Sequence, residues 1–429
     1  MHLARTSTVA AGVLFGLVLL AALLVDNTWL DAPQREGPPA LVADGATPRF
    51  WMLTKREEHR QIGSGRTSSI RWATRYHFDL QIHDAQTAHL VATRRLLTLD
   101  QKQGGHSARA RVLGQDGSAV WIFLHDQPVA LAASDGAPLA GRAEIEQRNP
   151  PLRTLLAAQQ EFYVFDQALV VVAADARRWR LRLPALAAEP YQPPSADFFN
   201  RITFQATQWN GGWRTDDFLT RAARPGGGWL GIHTEREAAD AAEDGFGDHL
   251  KDPDRILTES GVQRRRLWTA RIGRTRQFSE GAHDRLADVR PVPAGPEFLQ
   301  GGFVKEQGRA TALALQDPPG LLVLHRTRAD AQGRLALARL DARHQPLWQV
   351  ALPFSELNNR WQLAGRLLLR GAQDLGPPGQ SRWQEFLVAL DLASGRAHGW
   401  NLTLGQAIAP DGGQGAWVGV ATEGPRAAR

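Results

Sequence analysis

An unusual concentration of carboxylates lies in residues 235–259 of a chain whose formal net charge is +6. Alanines favour a helix over 236–243, whereas the glycines and the proline that follow interrupt it. Carboxylates near glycine turns suit a hard cation such as Ca²⁺, but the Asp-x-Asp-x-Asp-Gly loop is absent. We therefore predict an acidic insertion at 233–260, which is a solvated surface segment, a partner-binding excursion or a cation site. Its candidate partner-binding residues are Glu235, Glu237, Asp240, Glu243, Asp244, Asp248, Asp252 and Asp254.

Three histidines near one predicted strand are the other candidate ligands. Apolar and polar residues alternate in residues 75–83, so the polar set, which includes His77 and His83, is expected to face water. His89 follows across the predicted turn. The spacing of these histidines matches no strong zinc-binding pattern, and solvated histidines are common on strands. The sequence therefore predicts no metal site here.

Motifs for catalysis are missing from the sequence. It contains no Gly-x-Ser-x-Gly, no His-Glu-x-x-His, no phosphate-binding glycine loop after a strand and no dinucleotide fingerprint. The chain has no Cys, which excludes disulfides, thiolate nucleophiles and Cys-ligated zinc. We predict no catalytic residue and no cofactor, and we favour a protein that is not an enzyme.

The candidate residues lie among short repeated units. Residues 117–141 predict two strands and a turn, in which Ala-Leu-Ala precedes Ser-Asp-Gly. Similar units contain Asp84, Asp341 and Asp391, and a looser copy covers 170–179. Asp, Ser and Gly accept tight or left-handed turns, so we predict that the aspartates form turns and carry no activity. Corresponding positions lie roughly 50 residues apart, and such repeats of short strands indicate a β-propeller.

The repeat, a strand ending Ala-Leu-Asp followed by x-x-Ser/Thr-Gly, resembles that of quinoprotein-type propellers with PQQ-like repeats. The repeat units, with two further blades and the insertion between Asp175 and Asp341, predict an all-β domain at 49–425 with about seven four-stranded blades, or eight. The family includes quinone-dependent dehydrogenases and non-enzymatic envelope scaffolds. Its enzymes often carry a vicinal cysteine pair under the cofactor, which cannot exist here. We therefore favour a binding or scaffold module, with a quinone-cofactor-dependent dehydrogenase as the alternative.

The N-terminal region predicts a membrane anchor. Residues 9–25 are uncharged and apolar, at the short end of what spans a hydrocarbon core. Arg5 precedes the run and Asp26 follows it, which places 1–8 in the cytoplasm. Residues 26–48 are rich in Pro, Gly and Ala and predict a linker. A cleaved signal peptide is the competing interpretation, but no Ala-x-Ala site follows.

These features predict the localisation of the protein and its binding partners. We expect a single-pass protein of the bacterial inner membrane whose C-terminal domain is periplasmic. Its partners are the membrane, through the N-terminal helix, and a protein or polymer of the envelope. No basic stretch is clustered as nucleic-acid binding requires, so a nucleic-acid partner is not expected. The 50 basic residues are nearly all Arg, and the lysines are Lys55, Lys102, Lys251 and Lys305.

Overall fold

In a computed structural model the described residues form a mostly β fold, as the sequence predicted, with 59% strand and 6% helix and with the strands in several antiparallel sheets. The predicted cytoplasmic segment 1–8, the predicted membrane helix 9–25, and Asp248, Asp252 and Asp254 lie outside the described residues. Within the described residues, no helix has the length and apolar character needed to cross a membrane. The structure describes residues 28–43, 45, 48–64, 70–192, 218–224, 227–244, 264–278, 281–306, 311–328, 333–376, 380–410 and 417–419.

The first sheet is built on two long strands. Its members are β1 (Thr28–Leu30), β2 (Gln34–Arg35), β3 (Ala40–Val42), β4 (Arg49–Ser64), β5 (Ile70–Asp84) and β6 (Leu90–Asp100). β4 pairs with β5 along most of its length, and β5 pairs with β6. Phe78, Leu80 and Ile82 alternate along β5 on one buried face, which confirms the apolar side of the predicted strand.

Residues 28–42 were expected to belong to a linker, but they form β1, β2 and β3. β4 pairs with β5 on one side only, so the backbone groups on its other side need partners. The three short strands pair with β4 on that side, and Ala40 and Val42 are fully buried. Pro33 and the residues 37–39 lie between these strands, so the Pro and Gly content marks bends and not a free linker.

The second and third sheets have four strands each and follow the chain as meanders. The second contains β7 (Ala110–Asp116), β8 (Ala119–Leu124), β9 (Gln127–Ala132) and β10 (Pro138–Ala140). The third contains β11 (Tyr163–Phe165), β12 (Leu169–Val172), β13 (Arg178–Leu181) and β14 (Ala188–Pro190). Helix α1 (Arg142–Arg148) and 3₁₀ turns at Pro150–Leu152 and Gln160–Phe162 connect them. Every residue of β8 is buried because both faces of this central strand are covered.

The fourth sheet has ten strands and the fifth has six. The fourth contains β15 (Phe218–Leu219), β16 (Arg221–Ala223), β17 (Trp229–His233), β18 (Arg264–Phe278), β19 (Gly281–Pro291), β20 (Glu297–Val304), β21 (Ala314–Gln316), β22 (Pro319–Arg326), β23 (Leu335–Asp341) and β24 (Pro346–Ala351). Helix α2 (Glu235–Asp244) follows β17. The fifth contains β25 (Glu356–Leu363), β26 (Arg366–Asp374), β27 (Trp383–Asp391), β28 (Ala397–Asn401), β29 (Gln406–Pro410) and β30 (Trp417–Gly419).

Shared apolar clusters join neighbouring sheets. One cluster lies between the first and second sheets, another between the second and third, and a third between the fourth and fifth. A further cluster joins the fifth sheet back to the first, where the rings of Phe50 and Trp361 are 5.2 Å apart. The first and last sheets are therefore in direct contact. Burial of apolar area, about 25 cal/mol per Å², is the main stabilising contribution at each of these contacts.

The aspartates of the repeat form turns, as the sequence predicted. Asp84 Oδ1 accepts hydrogen bonds from the backbone N–H groups of Gln86 and Thr87, each 2.9 Å away, between β5 and β6. Between β27 and β28, Asp391 Oδ1 accepts bonds from the N–H of Ser394 at 2.8 Å and from its hydroxyl at 2.7 Å. The looser copy of the repeat, at 170–179, occupies a different place within its sheet. Its turn joins the second and third strands of the third sheet.

We expect Asp391→Ala to lower the free energy of unfolding by about 1 kcal/mol, the net value of such hydrogen bonds. The bond from Ser394 is the main cause that lowers the pKa of Asp391. A lowered folded-state pKa means that this stabilisation is present above the ordinary pKa of the carboxyl and is lost as pH falls through the folded-state value. Denaturant titration at pH 7 and at pH 3 measures both effects. An equal loss at both pH values would contradict this role for the carboxylate.

Candidate binding site

Helix α2 contains the start of the predicted acidic insertion, and its first turn is capped by its own residues. Thr234 Oγ1 accepts a hydrogen bond from the N–H of Glu237 at 3.2 Å, and Glu237 Oε2 accepts one from the N–H of Thr234 at 2.8 Å. This reciprocal pair is a capping box, which satisfies two N–H groups that a helix start leaves open. The sequence Thr-Glu-Arg-Glu therefore fixes where the helix begins.

Two of the predicted partner-binding carboxylates are held by arginines of β18. Arg265 Nη2 donates a hydrogen bond to Glu237 Oε1 at 2.8 Å, and the Arg265 side chain is only 5% exposed. Arg266 Nη2 lies 2.5 Å from Glu235 Oε1, but there the glutamate side chain is 79% exposed. The pair of Glu237 with Arg265 therefore belongs to the interior of the fourth sheet. The start of α2 is part of the folded domain and not a free surface loop.

The remaining acids of the insertion divide into two groups. Asp240 is exposed on the outer side of α2, whereas Ala238 on the inner side is buried. Glu243 and Asp244 belong to the last turn of the helix. The other three lie outside the described residues, as noted above. Besides the two glutamates that are paired with arginine, Asp240 is thus an acidic position that α2 presents at the surface.

His233 lies directly beneath the helix start. Its side chain is 4% exposed, and its Nδ1 is 3.9 Å from Glu237 Oε2. Burial lowers the pKa of His233 to about 3, and the nearby charge of Arg265 acts in the same direction. Trp268 on β18 donates a hydrogen bond from Nε1 to the His233 carbonyl oxygen at 3.0 Å. The histidine is therefore neutral and structural at ordinary pH.

The polar face of β5, expected to be wet, is largely buried in the structure, although Arg75 is exposed and Gln81 is half-buried. His77 is 6% exposed and His83 is fully buried, because the fifth sheet and neighbouring side chains cover this face. His77 Nε2 is 2.6 Å from Glu58 Oε2, and its Nδ1 is 3.0 Å from Thr98 Oγ1. The alternation correctly predicts that β5 has two different faces. It does not predict that the polar face is covered, because the residues that cover it lie far away in the sequence.

The row formed by Glu58, His77 and Thr98 has the order of a carboxylate, imidazole and hydroxyl triad. Arg95 Nη1 lies 2.5 Å from His77 Nδ1, and Arg95 also pairs with Asp79. A guanidinium only donates hydrogen bonds, so it occupies the Nδ1 lone pair that a general base would need. This arrangement can hold β4, β5 and β6 together, but it cannot activate the hydroxyl.

The three histidines considered as ligands do not converge. His83 Nδ1 is 3.0 Å from the Ala88 carbonyl oxygen, and its ring packs 5.8 Å from that of Trp400. His89 faces His398 of the fifth sheet, with ring centroids 6.0 Å apart. His77 is engaged by Glu58, Thr98 and Arg95, as described above. Each histidine therefore has a different neighbourhood.

A different group of potential ligands was missed by the sequence analysis. Asp31, Glu57 and His59 bring one ligand atom each to within 4.8 Å of the others, at the β1 edge of the first sheet. Glu57 and His59 are two residues apart on β4 and therefore lie on the same face of the strand. This spacing is the feature of the sequence that could have indicated a pair of ligands. Asp31 could not be added from the sequence because the pairing of β1 with β4 was not foreseen.

Comparisons with known proteins add no assignment. Neither protein-family models nor curated proteins match this chain. Its functional interpretation therefore depends on the geometry of its own residues.

Proposed function

We propose that this protein is a membrane-anchored β-propeller that acts as a binding or scaffold module in the bacterial cell envelope. The apolar run 9–25 supports the anchor, and the charge distribution around it supports a periplasmic domain. The acidic insertion supports recognition of a protein or polymer with basic groups. The module needs no catalytic residue to perform this role.

Four observations support the propeller. The sheets are antiparallel, four of the five pairs of consecutive sheets share an apolar cluster among the described residues, and the first sheet packs on the last, as closure of a ring requires. Four repeat turns also recur at comparable hairpins of four sheets. Dividing the ten-stranded fourth sheet between two blades turns the five described sheets into six blades, one or two fewer than the seven, or eight, that we propose.

One observation carries the proposed binding role. β17 and β18 are paired antiparallel neighbours, with His233 opposite Arg266, yet residues 234–263 intervene between them. Antiparallel neighbours need a connection of only about 2–5 residues, and long connections in compact domains are commonly functional. Helix α2 is fixed at its start by the capping box and by Arg265. A rigidly held helix start can therefore present the rest of the excursion to a partner.

Site-specific photo-crosslinking in living cells tests this proposal. A photoreactive residue at Arg236 or Asp240, both exposed on α2, is expected to trap one reproducible partner, whereas Arg343, exposed in the β23–β24 turn, serves as the control. Asp240→Lys should weaken crosslinking from Arg236 at least severalfold through charge reversal. The adduct should fractionate with membranes and be digested when protease is added to spheroplasts.

Two results would contradict the proposal. Crosslinking from α2 that does not exceed the Arg343 control would remove the binding role. An adduct found in the soluble cytoplasm, or one that external protease cannot reach, would remove the membrane anchor or its orientation.

A further inference from the structure

We propose that Asp31, Glu57 and His59 form a binding site for a divalent transition-metal ion of the zinc type. These are the only three His, Asp or Glu side chains found close enough together for this purpose in the part of the chain that the structure describes. They lie at the β1 edge of the first sheet, whereas the acidic helix of the proposed binding role belongs to the fourth. The inference is therefore independent of that role.

The separations between the ligand atoms fit one small ion. His59 Nε2 lies 3.2 Å from Asp31 Oδ2 and 3.8 Å from Glu57 Oε2. Zinc lies about 2.0–2.2 Å from nitrogen and oxygen ligands, so neighbouring ligands in a tetrahedral site are about 3.3–3.5 Å apart. The two distances bracket this range. Only small side-chain adjustments are needed to surround an ion.

Backbone pairing fixes the positions of all three side chains. Glu57 and His59 are two residues apart on β4 and point to the same side of the sheet. The N–H of Asp31 donates a hydrogen bond to the Glu57 carbonyl oxygen at 2.8 Å, just after β1 leaves its pairing with β4. The ligand set is therefore built on a strand and its neighbour, which gives better positional control than a free loop.

Thr74 on β5 orients the imidazole of His59. Its Oγ1 is 3.2 Å from His59 Nδ1, and Thr74 lies directly opposite His59 in the β4–β5 pairing. Metal-binding histidines almost always use their second ring nitrogen for such a hydrogen bond, which fixes the ring and the tautomer. When Nδ1 carries the proton and donates it to Thr74, the Nε2 lone pair faces the two carboxylates. A cation at this point would replace the hydrogen bond between His59 Nε2 and Asp31 Oδ2, and it would offset the repulsion between the two carboxylates.

The chemistry of the ligands selects the class of ion. A nitrogen ligand with two carboxylates suits zinc and similar transition metals, whereas Ca²⁺ takes six to eight oxygens. The side chains of Asp31, Glu57 and His59 are 43%, 33% and 19% exposed, so water can reach the site. Three protein ligands leave a fourth position for water or for a group from a partner.

Trp29 gives the site an optical reporter. Its ring centroid is 4.8 Å from that of His59 and 4.4 Å from that of Trp72. A paramagnetic ion such as Co²⁺ bound by His59 would quench the fluorescence of these indoles because it lies in near contact with them. The Trp29→Phe variant should still bind the metal, but Co²⁺ should quench much less of its fluorescence, because one of the two nearby indoles is missing.

Zinc titration of the full-length protein, purified in detergent without a histidine tag, tests the inference. Calorimetry is expected to show one Zn²⁺ per chain. His59→Ala should weaken this binding about 100-fold, and Thr74→Val about tenfold, the loss typical of a removed orienting partner. His106→Ala, at an exposed histidine after β6, is the matched control and should bind as the wild type does.

Asp31→Asn guards against a folding artefact, because it preserves side-chain shape at a partly exposed position. It should weaken zinc binding at least tenfold with unchanged circular dichroism. The inference is overturned if the wild type shows no saturable zinc binding. It is equally overturned if Asp31→Asn and His59→Ala bind zinc as tightly as the wild type, since the ion would then lie elsewhere.

Discussion

Replacing Glu237 with Ala, beside the fourth sheet, is expected to lower the free energy of unfolding by about 3 kcal/mol. Removing one partner of a buried ion pair costs about 3–5 kcal/mol because a charge is left buried and unpaired. Arg265 fits this case, since its side chain is 5% exposed, and no described residue accepts a hydrogen bond from its Nε or Nη1. The substitution also removes one of the two bonds of the capping box, the one from the Thr234 N–H, whereas the bond from the N–H of residue 237 to Thr234 Oγ1 remains.

Denaturant titration followed by tryptophan emission measures the effect of Glu237→Ala, since Trp268 is bonded to the backbone of His233 beneath the helix. Glu235→Ala is the matched control, because it breaks the neighbouring pair with Arg266 at a side chain that is 79% exposed. Exposed ion pairs contribute about 0–1 kcal/mol, so the control should change little. If the two variants lost the same free energy of unfolding, burial of Arg265 would not be the reason why its ion pair stabilises the protein.

Acidification from pH 6.5 to pH 4 is expected to remove about 3 kcal/mol of stability through His83 alone. Burial is the largest cause that lowers the pKa of His83, from 6.5 to about 4. The unfolded chain therefore binds a proton below pH 6.5, while the folded chain resists protonation until about pH 4. Stability attributable to this histidine is complete above pH 6.5, falls as pH decreases and stops changing below pH 4.

The contacts of His83 explain why its protonation is costly. Its Nδ1 lies 3.0 Å from the Ala88 carbonyl oxygen, which assigns the proton of the neutral ring to that nitrogen. No described residue offers a hydrogen-bond partner to Nε2, and the imidazole packs edge-to-face with the rings of Phe50 and Trp400. A proton on Nε2 would create an unpaired buried donor and a buried charge at the contact between the first and fifth sheets.

His83→Asn separates this effect from general acid denaturation. An amide keeps a donor near the position of Nδ1 but does not titrate, so the stability of the variant should depend less on pH between 6.5 and 4. His233, whose pKa is lowered to about 3, contributes a similar slope that remains in the variant. His106→Asn should keep the full slope. Parallel stability curves for His83→Asn and the wild type would show that His83 does not carry the effect.

Local chemistry could be predicted from the sequence, and contacts between distant strands could not. The turns at Asp84 and Asp391 were foreseen because their hydrogen bonds join residues within three positions of each other. The role of Glu237 depends on Arg265, which belongs to another strand. The metal-binding group needs Asp31, in a segment interpreted as a linker, beside His59.

The same limit explains the buried face of β5. Alternation shows that two faces differ in polarity, but it does not show what covers the polar one. Here that face holds His77 in a network with Glu58 and Arg95, and His83 against the fifth sheet. Hydrogen bonds satisfy most of these buried polar groups, so a polar pattern does not prove contact with water.

The contact between the first and last sheets fixes the order in which the molecule can be completed. Arg366 Nη1 donates a hydrogen bond to the Gln86 carbonyl oxygen at 2.8 Å, across 280 positions of the chain. Contacts of such long sequence separation slow folding, because the loop between them must close before they form. During synthesis, the apolar side of β4 at Phe50 and Met52 stays uncovered until the fifth sheet has been made. The nascent chain therefore exposes an apolar, aggregation-prone surface during most of its synthesis. Chaperone binding at this surface would protect the chain until the last strands have been synthesised.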